Sequence, residues 1–286
     1  MGIPVFSILR FVLVLNFVVC VLACHAKLPE DPPSKPPQKP QPTMVSEIGL
    51  ENHIPENMSG LYVELAEYLR GKDVAMVGPA PNLVGTGMGP EIDAYDVVCR
   101  VNNSFIINEE MVQDYGSRKD ILFNSGSDLG LAVLKHVFPQ WQAAQYVMLP
   151  GIHQHHTPDH DTVLEGFQEV NMNNIPVFQP DEDWFMGWQA KIDKEKKWNF
   201  LNTGLSSIRL LLEFDINSLT IYGFTFYKGG KGYVKHQDEV VRHVVANANP
   251  IGASHYEPTG KSHQQHKQKK FFRRYIESDP RIIFVE

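Results

Sequence analysis

Cysteine is scarce in this chain, at three residues in 286. Cys20 and Cys24 sit in the N-terminal apolar segment, so Cys99 is alone in everything that follows. That excludes an internal disulfide in the folded part, which must be held by a sufficiently large core. Positive charge is short as well: 26 Lys and Arg against 33 Asp and Glu leave a formal net charge of −7. Such a balance argues against a nucleic-acid binder that works by neutralising phosphates. No long uninterrupted apolar run is present, because Phe11 to Cys24 is broken by Asn16 and falls short of the ~20 residues of a membrane-spanning helix. The familiar nucleotide fingerprints are missing too. Gly78 is followed by Pro-Ala-Pro-Asn rather than by a G-x-G-x-x-G turn, and no G-x-x-x-x-G-K-[ST] loop occurs.

Residues 1–26 form a targeting segment, with Arg10 ahead of the apolar run, and predict entry into the secretory pathway. Ala23 and Ala26 offer cleavage sites for a signal peptide. If Arg10 snorkels to the interface, Ile3 to Leu9 would extend the run into a signal anchor. Residues 27–45 are a proline-rich stem, extended and without a core. Residues 46–286 are left as the folded domain. Asn57-Met58-Ser59 is a glycosylation sequon in an exposed setting, and Asn102-Asn103-Ser104 matches the same pattern.

Within the domain, Leu61 to Leu69 has the spacing of an amphipathic helix, and Val74 to Val77 is a short apolar run of the kind that forms a buried parallel strand. Gly78 and two prolines stop that strand. Gly85, Gly87 and Gly89 then lack Cβ atoms, so their N–H groups could approach a phosphate or sugar closely. A second strand is expected over Asp96 to Val101, with further strands at Asp120 to Phe123, Tyr146 to Leu149 and Val177-Phe178, and a helix over Leu129 to Val137. In Leu201 to Phe224 an Asn-Thr-Gly turn caps a leucine-bearing helix, and Ser218 to Tyr222 returns as a strand. Thr203 and Gly204, at the N-terminus of that helix, could hold a phosphate or carboxylate. The alternation of strands and helices predicts an α/β domain with a mostly parallel sheet.

Four histidines and two aspartates crowd Gly151 to Asp161, and both Asp159-His160-Asp161 and Asp181-Glu182-Asp183 have the D-x-D form of metal-dependent glycosyltransferases. The plainer reading is a polar surface loop. Trp184, Trp188 and Trp198 could line an acceptor sugar site or could equally be core or lid packing.

Taken together, Val77-Gly78, Asn82-Leu83, Gly85, Gly87, Gly89, Ile92-Asp93, Asp96 and Arg100-Val101-Asn102 resemble the large sialylmotif of eukaryotic sialyltransferases, and Asp114 to Arg118 is similar to the D-V-G-S-R that follows it. Leu201 to Phe224 looks like the small motif, His255-Tyr256-Glu257 resembles the third, and His263 resembles the histidine of the very small motif. The chain departs from the pattern at Pro79 (usually Asn), Asn202 (Ser) and Gln268 (Glu), and Val74 and Ile216 replace the cysteines that normally bridge the large and small motifs. The resemblance implies a single Rossmann-like domain, a sialyltransferase-like variant of the GT-A fold. It also implies transfer of sialic acid from CMP-sialic acid to a glycan hydroxyl with inversion, with CMP-sialic acid a donor substrate and no cofactor or metal. The site residues implied are His263 as general base, His255 beside the departing phosphate, and Gly78, Asn82, Asn102, Thr203 and Gly204 around the donor. His236, His243 and His266 compete for the base. A type II Golgi membrane protein is implied, against secretion after cleavage, with a CMP-activated donor and a glycan as partners and no nucleic acid. Other readings are a non-catalytic nucleotide- or glycan-binding relative, a transferase for another CMP-activated nonulosonate, and a metal-dependent glycosyltransferase built on the histidine-rich loop.

Overall fold

The computed structural model describes residues 48–151, 160–192, 201–226, 233–248 and 264–285. The chain enters through 3-10 turns into α1 (Ser59–Leu69), whose Leu65 and Leu69 are buried. It then forms β1 (Asp73–Val77), the short helix α2 (Gly89–Asp93) and β2 (Val97–Val101). Next come α3 (Glu109–Tyr115), β3 (Ile121–Phe123), α4 (Asp128–His136), the single turn α5 (Phe138–Trp141) and β4 (Tyr146–Met148). The remaining elements are α6 (His160–Val170), β5 (Val177–Phe178), α7 (Glu182–Ile192), α8 (Thr203–Leu212), β6 (Ser218–Tyr222), α9 (Lys235–Ala248), α10 (Gln265–Tyr275) and β7 (Ile282–Phe284). The expected strands and helices stand within a residue or two of their sequence positions. The helices α3, α5, α6, α7, α9 and α10 and the strand β7 add to those expectations, and α2 forms inside what reads as an open glycine loop.

These strands make one sheet in the order β5-β4-β3-β2-β1-β6-β7, and every pairing is parallel. A parallel sheet needs both faces covered, which is why its strands are continuous apolar runs. Val74, Met76, Cys99, Val101, Leu219 and Ile221 pack on one face with residues of α1, α7, α8 and α10. Ala75, Val77, Val98 and Tyr222 turn to the other face, toward α2 and α3. Leu122 and Val147, on that same side, meet α4, α6 and α9. The result is the doubly wound Rossmann-like arrangement expected from the sequence.

Strand order places the topological switch point between β1 and β6. From β1 the chain runs outward through β2 to β5, and it then returns to the far side of β1 as β6 before moving on to β7. In open α/β sheets the crevice at the carboxyl ends of two such strands is where ligands bind. Val74 and Ile216 are both buried in the core cluster on the α8 side, as ordinary apolar packing. Cys99 is fully buried and unbridged, and burial pushes its thiol pKa up.

Candidate donor site at the β1/β6 switch point

Past the last residue of β1 the chain continues to pair with β6: Gly78 N–H donates to the Tyr222 carbonyl at 2.8 Å and Ala80 N–H to the Gly223 carbonyl at 3.1 Å. The two strand-terminal glycines touch. A Cβ on Gly78 would stand 2.5 Å from the Gly223 carbonyl oxygen and 2.7 Å from the Phe224 ring. Gly223 itself has φ +68, a conformation that L side chains rarely adopt.

Phe224 joins the two halves of the site. Its ring lies against Gly78 and also against Gly204, where a Cβ would come within 2.6 Å of Cε1. Thus the stretches around Gly78 and Gly204, far apart in sequence, meet on one aromatic side chain. Neither glycine is there for backbone freedom; each leaves room for the ring.

The loop after β1 is fixed on several sides. The Pro79 carbonyl accepts from Val234 N–H at 2.9 Å, just ahead of α9, and the Ala80 carbonyl accepts from the Tyr115 hydroxyl at 2.8 Å. Burial pushes the Tyr115 phenol upward, which keeps it a hydrogen-bond donor. Asn82 follows in a 3-10 turn, and its Oδ1 is buried with no hydrogen-bond partner among the described residues. Such an orphaned acceptor is costly unless a ligand donates to it.

Asn102 begins the 3-10 turn after β2 with φ 47, and its Oδ1 accepts from Ser125 N–H at 3.2 Å, tying the ends of β2 and β3 together. Ser104 closes the same corner by donating to the Val77 carbonyl and accepting from Val101 N–H, both at 2.7 Å. With this hydroxyl fully buried, the Asn102 sequon is part of the fold. The Asn57 sequon is exposed at both Asn57 and Ser59.

At α8, Asn202 caps the helix by accepting from Leu205 N–H at 2.8 Å. Thr203 is buried and its carbonyl accepts from the Ser206 and Ser207 hydroxyls. The Gly204 N–H stands in the first turn, where no intrahelical acceptor exists. Gln268, on α10, is fully buried and accepts from Asn202 N–H at 3.2 Å.

The glycine loop has a different use from the one its composition suggests. The N–H groups of Gly85 and Gly87 are taken by the Asp114 carboxylate at 2.7 and 2.9 Å, and Gly89 lies where a Cβ would overlap the Val112 carbonyl. The neighbouring Ser117-Arg118 pair is gripped in the same way: Asp93 accepts from both backbone N–H groups and from the Ser117 hydroxyl. Arg118 then reaches the carbonyls of Asp93, Tyr95 and Asp96 and the Asp120 carboxylate. These residues build the scaffold under the site. Arg100 belongs to it as well. Burial lowers its pKa to about 10 against the pull of Asp93 and Asp120, and its Nε donates to the Arg118 carbonyl.

The structure brings Gly78, Asn82, Asn102, Thr203 and Gly204 to the carboxyl edge of the sheet. His255 and His263 lie outside the described residues, as do Trp198 and the loop at 152–159. Of the competing histidines, His236 opens α9 close to the Val234–Pro79 contact, whereas His243 lies further along that helix with its ring 5.1 Å from that of His136. The carboxylates that could orient them are engaged elsewhere, Asp238 with Arg242 and Glu239 with Lys235. Asp181, from the second D-x-D match, pairs with His53 and caps α7 through Trp184 N–H. Trp184 and Trp188 are core residues.

The model of one family, described as Glycosyltransferase family 29 (sialyltransferase), matches residues 52–243. The chain belongs to glycosyltransferase family 29. It is therefore a sialyltransferase-like glycosyltransferase, and the family match takes in the β1 loop, the α8 cap and the β6 terminus described above. Solved structures similar to this family 29 chain include a mammalian sialyltransferase in complex with Gal-beta-1-3GalNAc-ortho-nitrophenol, at 15% identity over 82% of this chain and 76% of that chain, with a TM-score of 0.45. The sialyltransferase CstII from Campylobacter jejuni, in complex with the substrate analogue cytidine-5'-monophosphate, matches at 13% identity over 63% of this chain and 78% of that chain, with a TM-score of 0.39. No match to a curated protein sequence was found.

Sequence reasoning missed Phe224 as the element joining the two motifs, Asp114 as the partner of the loop glycines, and Tyr115 and Val234 as anchors of the β1 loop. The glycine-to-ring contacts had a signal in the small residues at 78 and 204. The others span tens of residues and had none.

Proposed function

We propose that this enzyme transfers sialic acid from CMP-sialic acid to a hydroxyl of a glycan in a single displacement with inversion. The acceptor oxygen bonds to the anomeric carbon as the bond from that carbon to the phosphate oxygen breaks, with the electron pair leaving on CMP. A histidine takes the acceptor proton. His263 is assigned as this base and His255 as the hydrogen-bond donor to the departing phosphate, since an imidazole ring can both take up and donate a proton. The observation that carries the reading is the meeting of Gly78 and Gly204 on Phe224 at the switch point, in a chain of family 29.

In this reading the buried Asn82 Oδ1 receives a hydrogen bond from the nucleotide. The Asn102 amide, whose oxygen is held by Ser125, offers its NH₂. Thr203 and Gly204 face the phosphate with the positive end of α8. Gly78 contributes its lack of a side chain, because its N–H already belongs to Tyr222. Pro79 supplies no side-chain contact where the family has Asn, and its carbonyl fixes α9 instead. The leaving group carries a single phosphate, so no cation has to bridge a diphosphate. The N-terminal segment would hold the enzyme in the Golgi membrane as a type II protein, with secretion after cleavage the alternative. Among the described residues no helix is long and apolar enough to cross a membrane.

Alanine variants at His263, His255, His236 and His243, assayed for turnover and CMP affinity, test the assignment. Loss of a positioned base costs ~10² to 10⁴ in rate. His263→Ala should show that loss with CMP affinity unchanged, and His255→Ala should lower both. Near-normal turnover in His263→Ala would move the base elsewhere.

A further inference from the structure

Between the end of α7 and the outer face of α10 lies a cavity of about 250 Å³. Lys191 from α7 and His266, Lys267, Lys270 and Arg274 from α10 line it, and among the described residues no acidic side chain does. In a chain of net charge −7 this is a local reversal of sign. Phe271 and Tyr275 supply an aromatic wall, the Phe271 ring 5.0 Å from that of Tyr275 and the Arg274 guanidinium 5.3 Å from the Tyr275 centroid.

The helical repeat turns the cationic residues of this cavity away from the cap of α8. At about 100° per residue, His266 and Lys270 project about 160° round the helix from Gln268, whereas Phe271 and Tyr275 share its side about one and two turns further along. Gln268 is turned to the cap of α8. One helix thus serves two sides, with a neutral buried amide inward and a cationic row outward.

We propose that this cavity binds the acidic group of a glycan, a carboxylate or sulfate carried on a sugar ring, at a site distinct from the donor crevice. Cations at Lys270 and Arg274 meet the anion by charge-assisted hydrogen bonds, and the Tyr275 and Phe271 rings offer the flat apolar surface that a sugar face covers. The volume lies just below the ~300 to 1,000 Å³ of small-molecule sites and suits one or two rings better than an extended polymer. The inference rests on the reading of the chain as a glycan-modifying enzyme, and its consequence is that glycans already bearing acidic sugars are retained on the enzyme.

Calorimetric titration of the full chain with sialyllactose, a sulfated lactose, lactose and inorganic sulfate tests it, with the double variant K270E/R274E alongside. Both acidic glycans should bind, lactose should bind at least about tenfold more weakly, and the double variant should lose about tenfold or more for the acidic glycans. Transfer to a neutral acceptor by the double variant should be unchanged. Equal affinity for lactose, equal affinity in the double variant, or inorganic sulfate binding as tightly as the glycans would overturn the proposal. The readout is binding, so absence of transfer with retained binding would remove the proposed reaction and leave this site standing.

Discussion

The backbone N–H of Asn202 donates to Oε1 of Gln268 at 3.2 Å, joining the cap of α8 to the buried face of α10. Both residues stand where the chain departs from the sialyltransferase motifs, Asn for Ser and Gln for Glu. They are partners, so the two departures are one structural unit. Gln268→Ala would strand a part-buried N–H, at a cost of about 1–3 kcal/mol, and should lower Tm by several degrees. Gln268→Glu keeps an acceptor beside the positive end of α8 and should cost much less. Thermal melting of the two variants decides it; equal losses would mean that the contact contributes nothing.

Gly78 and Gly204 both border Phe224, yet substitution should separate them. A Cβ at 78 runs into the Gly223 carbonyl, main chain that cannot step aside, while at 204 it meets the edge of a ring that can. Gly78→Ala should cost about 3 kcal/mol and abolish measurable transfer, whereas Gly204→Ala should cost under about 1.5 kcal/mol, partly offset by helix propensity. Denaturant melts with parallel activity assays check the pair. A Gly204→Ala loss equal to that of Gly78→Ala would show that the ring is as rigid as the backbone.

Asp114 holds the N–H groups of Gly85 and Gly87 from α3. Asp114→Ala should cost about 1–2 kcal/mol, reduced by exposure of the clamp, and should raise KM for the donor more than it lowers kcat. A kcat loss with unchanged KM would place the loop in the chemistry instead.

Much of this fold could be read from the sequence because its cues are local. The apolar runs at Val74–Val77 and Ser218–Tyr222, the cap at Asn202 and the unpaired Cys99 are each decided by a few neighbouring residues. The glycine loop was read for phosphate contact, and its N–H groups instead serve a carboxylate 27 and 29 residues away. The helix α2 was missed because Gly89-Pro90 reads as loop, although proline is well placed in a first helical turn. The meeting of Gly78, Gly204 and Phe224 is a tertiary fact. The motifs implied it, and periodicity could not.

Asp279 gives the fold an acid-sensitive tie. Burial pulls its pKa up, but hydrogen bonds and charge from Arg281, with the charge of Arg209, outweigh this and leave it below the ordinary carboxylate value. Arg281 in turn donates to the carbonyls of Leu212 and Phe214 at the end of α8. With the folded pKa below the unfolded value of about 3.9, the stabilisation is fully present above that pH and is lost as pH falls through the folded value. Asp279→Asn should therefore be less stable at neutral pH and lose less on acidification. Parallel acid-unfolding curves for the two proteins would contradict this.

The most direct measurement is a transfer assay with residues 46–286, CMP-sialic acid and a panel of glycan acceptors, run in excess EDTA and read by mass spectrometry of the product and by CMP release. The expected result is a glycan heavier by one sialic acid, formed in proportion to the CMP released and undiminished by the chelator. Failure to transfer from CMP-sialic acid to any acceptor, or transfer that appears only when Mn²⁺ or Mg²⁺ is restored, would contradict the proposed reaction.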